Sequence, residues 1–193
     1  GKDGYIYLTN WDAIQGDPPS PQIFVIHPEE GLVGELSTPT SHLGVSEDTY
    51  ISSNPLDDSI WVQQPYPIPT ISRYDENLEL KDHSEFEPAI LGGFTHDGQV
   101  VMKDLSNCFP FVWQETAGCE TLLRYRDVNG RTTQEWGEKE GLTQDAGLWV
   151  NATGERIYWY EPGIQTIRRF NSDAQLERSW TSERYQGVCA IMD

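Results

Sequence analysis

Four polar side chains, one in each quarter of the chain, lie at or just before the start of an apolar, strand-like segment with an early glycine. The segments are "HLGVSED", "LGGFTHDG", "AGLWVNATG" and "QGVCAIMD". Hard cations such as calcium prefer oxygen ligands, so converging side chains of this kind would suit a divalent cation. A trapped water or an anion would satisfy the same geometry. The metal candidates are His42, Glu87, Asp145 and Gln186, and no other cofactor is expected.

A second group of candidates consists of large aromatic residues in segments rich in proline and polar residues. Such rings stack on sugars or anchor protein partners, and Asp12 adds a hydrogen-bonding carboxylate beside Trp11. The alternative is that the rings fold back and cover the ends of the strands. The predicted binding residues are Trp11, Asp12, Tyr66, Phe109, Phe111 and Trp113.

The three cysteines suggest one covalent link. Cys108 and Cys119 bracket "CFPFVWQETAGC", and a disulfide between them is geometrically reasonable if the flanking segments pair. Cys189 lies in an apolar run typical of a buried thiol. Three cysteines and four scattered histidines do not have the spacing of a zinc site. The disulfide would indicate a secreted protein in an extracellular or periplasmic compartment.

The elements that must position these residues form a repeat. Four β-rich runs recur, "GYIYLTN", "DSIWVQQ", "GQVVMKD" and "ERIYWYE", and each is followed by two further strand-like runs joined by a short turn. The turns "PEEG", "DEN", "DVNG" and "NSDA" favour tight hairpins. No segment has the sustained apolar spacing of a helix. The repeat predicts an all-β protein, a four-bladed β-propeller.

The ends of the chain complete this prediction. "QGVCAIMD" at the C-terminus would supply the innermost strand of the blade that begins at "GKDGYIYLTN", and their pairing would leave no open sheet edge. The alternative is that the four repeats belong to a longer array. The expected organisation is a single domain, 1–193, with blades at 186–193 plus 1–37, 42–86, 89–137 and 145–181.

One known repeat is similar to this one. The pattern "G-apolar-x…D-x-x-x-I-Y-apolar…I-x-R-F-N-x-D-x-x-L", most complete from Gly147 to Leu176, resembles the repeat of NHL-type and related six-bladed β-propellers. The resemblance covers nearly the whole chain and implies a fold rather than an activity. Several propellers of this kind carry a divalent ion that polarises a carbonyl group and activates water.

Charge narrows the range of partners. The chain has 31 acidic and 13 basic residues, a net charge of -18, which repels phosphate backbones and anionic lipid surfaces. No apolar run approaches the length of a membrane span. We therefore expect no nucleic acid partner and no membrane insertion, and a protein or a glycan as the partner.

Two functions fit these features. The first is a binding module that presents long aromatic connections from a rigid scaffold. The second is a metal-dependent hydrolase or lactonase with His42 and Asp145 as catalytic candidates. The chain has no G-x-S-x-G or H-E-x-x-H motif, so the balance is against an enzyme.

Overall fold

The structure is a computed structural model that describes residues 4–10, 22–37, 49–64, 69–85, 89–105, 122–127, 131–136, 147–151 and 153–181. Within them the chain forms fifteen β-strands. They are β1 (Ile6–Asn10), β2 (Gln22–His27), β3 (Gly31–Ser37), β4 (Tyr50–Ser53), β5 (Ile60–Gln64), β6 (Thr70–Tyr74), β7 (Leu80–Glu85), β8 (Ala89–Phe94), β9 (Val100–Asp104), β10 (Leu122–Arg126), β11 (Thr132–Trp136), β12 (Gly147–Val150), β13 (Arg156–Glu161), β14 (Thr166–Asn171) and β15 (Leu176–Thr181).

The strands form four antiparallel sheets in chain order: β1–β3, β4–β7, β8–β11 and β12–β15. In each sheet, strands that are neighbours in sequence pair with each other, which is the arrangement of a propeller blade. The described residues contain no α-helix, only a 3-10 turn at Pro162–Ile164, and none of their helices is long and apolar enough to cross a membrane. The all-β class and the four blades of a β-propeller are thus confirmed.

The chain divides into two compact units, Gly1–Glu87 with the first two sheets and Pro88–Asp193 with the last two. The single domain at 1–193 stays a prediction. The closing strand at 186–193 lies outside the described residues, as do Cys189 and its surroundings. Among the described strands, β1 pairs with β2 alone.

The turn between the third and fourth strands is the same in the second and fourth sheets. Asp75 Oδ1 and Asn171 Oδ1 each accept hydrogen bonds from the backbone N–H groups two and four positions ahead. Leu78 and Ala174 then adopt positive φ angles of 64° and 61°. A β-bulge in the hairpin follows in both sheets. The short polar residue at the start of the turn is therefore the local cause of the hairpin.

Packing in the first unit joins one face of the first sheet to one face of the second. Alternation along each strand brings apolar residues to those faces. Leu78 also reaches the backbone of Gly34, where an added Cβ would lie 2.4 Å from Leu78 Cδ1. The buried core consists of Ile23, Val25, Leu36, Ile60, Val62 and Tyr74, with Tyr5, Tyr7, Ile51 and Leu78 packed against it.

The second unit has an equivalent core between the third and fourth sheets. A close backbone contact fixes their approach, because His96 N–H donates to the Gly154 carbonyl at 3.0 Å. Gly154 has a φ of +71°, and a Cβ there would lie 2.3 Å from His96 N. Only glycine fits this position. The core consists of Val101, Leu123, Tyr125, Leu148, Ile157, Trp159 and Phe170, with Trp136, Val150 and Ala174 beside it.

Candidate functional site

The two ends of each sheet differ in the length of the segments that leave them. At one end of the four-stranded sheets, short turns join the first to the second strand and the third to the fourth. At the other, which we name the connection end, the second strand is joined to the third through positions 65–69, 105–121 and 162–165. In the three-stranded first sheet, positions 11–21 between β1 and β2 form the corresponding connection, because a short turn joins β2 to β3. These connections range from four to seventeen residues. Variable segments on a regular scaffold are common locations for binding residues.

The aromatic candidates belong to these connections, but they lie outside the described residues. This applies to the aromatic set, to the predicted disulfide and to the four predicted metal ligands. Within the described residues, no group of three or more His, Cys, Asp and Glu side chains is arranged to hold a metal ion. The residues concerned are Trp11, Asp12, Tyr66, Phe109, Phe111, Trp113, Cys108, Cys119, His42, Glu87, Asp145 and Gln186.

The strand bounds show which sequence positions are equivalent near the metal candidates, which stay a prediction. The sequence pattern places the first strand of the second blade in "HLGVSED", but that strand is β4, which begins at Tyr50. Tyr50 pairs with Gln63, as Gly147 pairs with Tyr160 in the fourth sheet. The residue two positions before the first strand is therefore Asp48 in the second sheet, Glu87 in the third and Asp145 in the fourth. Asp48, rather than His42, is the sequence equivalent of Asp145.

The described part of the connection end contains buried polar side chains at equivalent places. Gln64, Asp104 and Glu161 are the last residues of the second strands β5, β9 and β13, and they are 8%, 4% and 2% exposed. Each pairs with the first residue of the next strand. Burying polar groups is costly unless they are hydrogen-bonded. A buried polar residue nevertheless recurs at the end of each of these strands, so each sheet is polar where its connection begins.

In the third sheet this residue is part of a network of charges. Arg124 Nη2 lies 2.8 Å from Asp104 Oδ2, and Arg124 Nε lies 2.7 Å from Glu135 Oε1. Asp104 is almost fully buried, whereas Glu135 is exposed. The guanidinium group of β10 therefore compensates the buried carboxylate of β9, as a buried charge requires.

The fourth sheet has an equivalent arginine–carboxylate pair with a longer distance between the charged atoms. Arg168 Nη2 lies 3.3 Å from Glu161 Oε2, and Arg168 stands two positions after the partner of Glu161, as Arg124 does for Asp104. Glu161 Oε1 is buried and has no hydrogen-bond donor among the described residues. Lys103, in β9 of the third sheet, has its Nζ 6.0 Å from the ring centroid of Trp159 in β13 of the fourth sheet. Glu161 is thus a buried carboxylate with one long ion-pair contact, to Arg168.

The second sheet has uncharged side chains at the positions of these carboxylates and arginines. Gln63 and Gln64 end β5, and Ser72 occupies the place of Arg124 and Arg168. Ser72 Oγ is hydrogen-bonded to His83 Nδ1 at 2.9 Å. Sequence reasoning missed all these strand-end residues, although the pairs "QQ", "KD" and "YE" at the ends of otherwise apolar strands were a usable signal.

No family model matches the chain, and no curated protein matches it. Among solved structures it is similar to prolyl oligopeptidase B from Galerina marginata, with 13% identity, 93% of this chain and 26% of that chain covered, and a TM-score of 0.52. It is also similar to virginiamycin B lyase from Staphylococcus aureus (16% identity, 84% and 49% covered, TM-score 0.48) and to Kuenenia stuttgartiensis hydrazine synthase (14%, 79% and 46%, TM-score 0.49). The chain thus spans about half or less of these structures. The likeness to the prolyl oligopeptidase, the one of the three with a TM-score above 0.5, supports the propeller fold, while a specific relation to NHL repeats stays a prediction.

Proposed function

We propose that this chain is a propeller-type binding module that takes a glycan at the connection end of its second unit. The observation that carries the proposal is the buried carboxylate at the end of the second strand in both sheets of that unit, Asp104 and Glu161. An apolar residue there would be cheaper to bury. Keeping carboxylate groups in these places provides hydrogen-bonding capacity next to the variable connections of this unit.

The chemistry of these groups suits hydroxyl-rich ligands. Carboxylate oxygens accept hydrogen bonds from hydroxyl groups, and guanidinium groups such as those of Arg124 and Arg168 donate them. The aromatic residues predicted for binding in this unit, Trp113 among them, would add flat apolar surfaces for sugar rings. A polar base and aromatic sides are the usual composition of a small-ligand site.

The net charge predicts a preference among glycans. At -18 the chain attracts cationic ligands and repels anionic ones at long range. We therefore expect an amino-sugar oligomer to bind more tightly than a neutral glucan oligomer, and a uronic-acid oligomer to bind most weakly. A screen of these three probes by saturation-transfer NMR tests the proposal. Binding of none of them would contradict it and would favour a protein partner.

Substitution separates binding from folding. Trp113→Ala is expected to weaken binding of the amino-sugar oligomer about tenfold or more while leaving the Tm unchanged, because stacked aromatic anchors commonly carry that much binding energy. Trp61→Ala is the control, since Trp61 lies within β5 and donates its indole N–H to Ser59 Oγ at 3.0 Å. It should lower the Tm instead. The reverse pattern would contradict the assignment.

A metal-dependent hydrolase is the second candidate, favoured by the equivalent sequence positions of Asp48 and Asp145. Carboxylates at repeated positions are the ligands that calcium prefers. Calorimetric titration with calcium after chelation tests this candidate. Stoichiometric binding that is lost in both Asp48→Asn and Asp145→Asn, and retained in His42→Ala, would support a cation held by the repeated acids. Absence of binding would leave the binding module.

A further inference from the structure

Two arginines stand directly opposite each other on the outer strands of the fourth sheet. Arg169 in β14 pairs with Arg178 in β15. Side chains that are directly opposite in an antiparallel pair lie on the same face, so two positive charges are neighbours there. Like charges in this arrangement are destabilising. A nearby anion would reduce the repulsion between the two guanidinium groups.

Among the described residues, a carboxylate of the chain compensates one of the two arginines. Arg169 Nε lies 3.0 Å from Glu177 Oε2, next to the bulge in β15. Arg178 is exposed and forms no ion pair with a carboxylate among the described residues. The local balance is therefore two guanidinium groups to one carboxylate.

Trp180 orders both arginines. The guanidinium carbon of Arg178 lies 5.0 Å from the centroid of the Trp180 ring, and that of Arg169 lies 5.7 Å from it. A guanidinium group stacked on an aromatic ring keeps its N–H groups free at the edge. Those edges can donate two parallel hydrogen bonds to a carboxylate or a phosphate. The indole thus reduces the entropy cost of holding the donors in place.

The second sheet provides a matched comparison. Its Arg73 has the position of Arg169 and stacks on Trp61 at 5.9 Å. The residue opposite Arg73 is Asp82, and Asp57 Oδ2 lies 2.8 Å from Arg73 Nη2. The same strand positions therefore place one cation among two carboxylates in the second sheet. In the fourth sheet, arginine replaces the acid and the sign of the balance is reversed.

We propose that Arg169, Arg178 and Trp180 form a binding site for a single oxyanion group, a carboxylate or a phosphate carried by a small molecule. Two donor edges and one ring define the site. The net charge of -18 opposes polyanions over longer distances, whereas a ligand with one charged group meets mainly the local pair within the screening length of about 8 Å. The site is separate from the glycan site proposed above, and neither depends on the other.

The test uses inorganic phosphate and acetate as probes at constant ionic strength, with chloride as the reference. The resonance of the Trp180 indole N–H, assigned by Trp180→Phe, is followed by NMR. We expect a saturable shift with phosphate or acetate, and a loss of affinity of at least about tenfold in Arg178→Gln. Comparing the two probes distinguishes a phosphate group from a carboxylate group as the preferred ligand.

Arg73→Gln is the matched control, because it removes a stacked arginine from a locally acidic site. It should leave the response of Trp180 unchanged. An unchanged indole resonance with both probes in the wild-type protein would overturn the proposal, as would an equal loss of response in Arg73→Gln and Arg178→Gln. Arg178→Glu is a second check, since the acid restores the charge pattern of the second sheet. It should raise the Tm in chloride and abolish the increase in Tm caused by phosphate.

Discussion

The second and fourth sheets have the same strand order, the same turn between the third and fourth strands and the same bulge, but they differ in charge. Gln64 and Ser72 of the second sheet correspond to Glu161 and Arg168 of the fourth. Backbone geometry is therefore set by turn residues and apolar alternation, while the strand ends are free to vary. That freedom is where a repeat fold acquires distinct ligand sites.

The two units continue this contrast. Positions 1–87 hold 16 acidic and 3 basic residues, a net charge of -13, and positions 88–193 hold 15 acidic and 10 basic residues, a net charge of -5. Most of the arginines are thus in the unit that has the buried carboxylates. The charged strand ends of the second unit are compensated within their own sheets, as the pairs Asp104–Arg124 and Glu161–Arg168 illustrate.

The largest expected effect concerns the turn between the first and second strands. In the second sheet, Asp58 adopts a positive φ there without glycine, whereas Gly154 in the fourth is pressed against His96. Gly154→Ala should therefore cost roughly 2–5 kcal/mol of unfolding free energy, from the left-handed backbone and the steric overlap together. Urea denaturation measures it. Gly31→Ala is the control, with a φ of +81° and no atom near the added Cβ, and should cost only about 1–2 kcal/mol. Equal losses would disprove the close approach.

The buried carboxylates should differ in their contribution to stability. Asp104→Asn leaves Arg124 without its 2.8 Å partner and is expected to cost about 2 kcal/mol. Glu161→Gln should cost less, because its contact with Arg168 is longer and one of its oxygens has no donor among the described residues. The two variants are compared by urea denaturation. A greater loss in Glu161→Gln would contradict this ranking.

The left-handed residues of the two equivalent turns offer a finer comparison. Leu78→Gly removes a side chain that packs on Gly34 and is expected to cost about 2 kcal/mol despite relief of the positive φ. Ala174→Gly loses one methyl group and gains the same relief, so the change should stay within about 0.5 kcal/mol. Thermal unfolding of both variants provides the check. Similar decreases in Tm would show that the two turns do not depend on packing as described.

The smallest effect concerns the first residue of the same turns, which is Asp75 in the second sheet and Asn171 in the fourth. The Lys81 ammonium group and the backbone N–H of Glu79 hold the pKa of Asp75 below its ordinary value of 3.8. Because the folded pKa is lowered, Asp75 contributes stability above pH 3.8 and loses it as the pH falls through the folded pKa. Asp75→Asn should make the unfolding free energy less sensitive to acid. An unchanged pH profile would show that the ion pair has no effect in solution.

Much of the fold was predictable from the sequence because its causes are local. Residues such as Asp75 and Asn171 determine hairpins by bonding to their own backbone, and alternation then determines the buried face. The start of β4 at Tyr50 was not predictable from local sequence, because it depends on the pairing that aligns Tyr50 with Gln63, and "HLGVSED" lies outside the described residues. Register depends on contacts that are distant in sequence.

The site was less predictable than the fold for a physical reason. Polar residues at the ends of strands, such as Asp104 and Glu161, have the composition of loop residues, and only their burial distinguishes them. Burial depends on a neighbouring sheet that the local sequence does not encode. The opposition of Arg169 and Arg178 likewise depends on a bulge, which shifts the partner by one residue. The aromatic residues of the connections remain predictions.

Mapping of amide chemical shifts during titration with the amino-sugar oligomer tests whether the connection end of the second unit binds the ligand while the turn end supports the fold. We expect shifts at Asp104, Glu161 and Thr166, with little change at the turns that begin with Asp75 and Asn171. Shifts concentrated at those turns, or none at any of the three strand-end amides, would contradict the proposal.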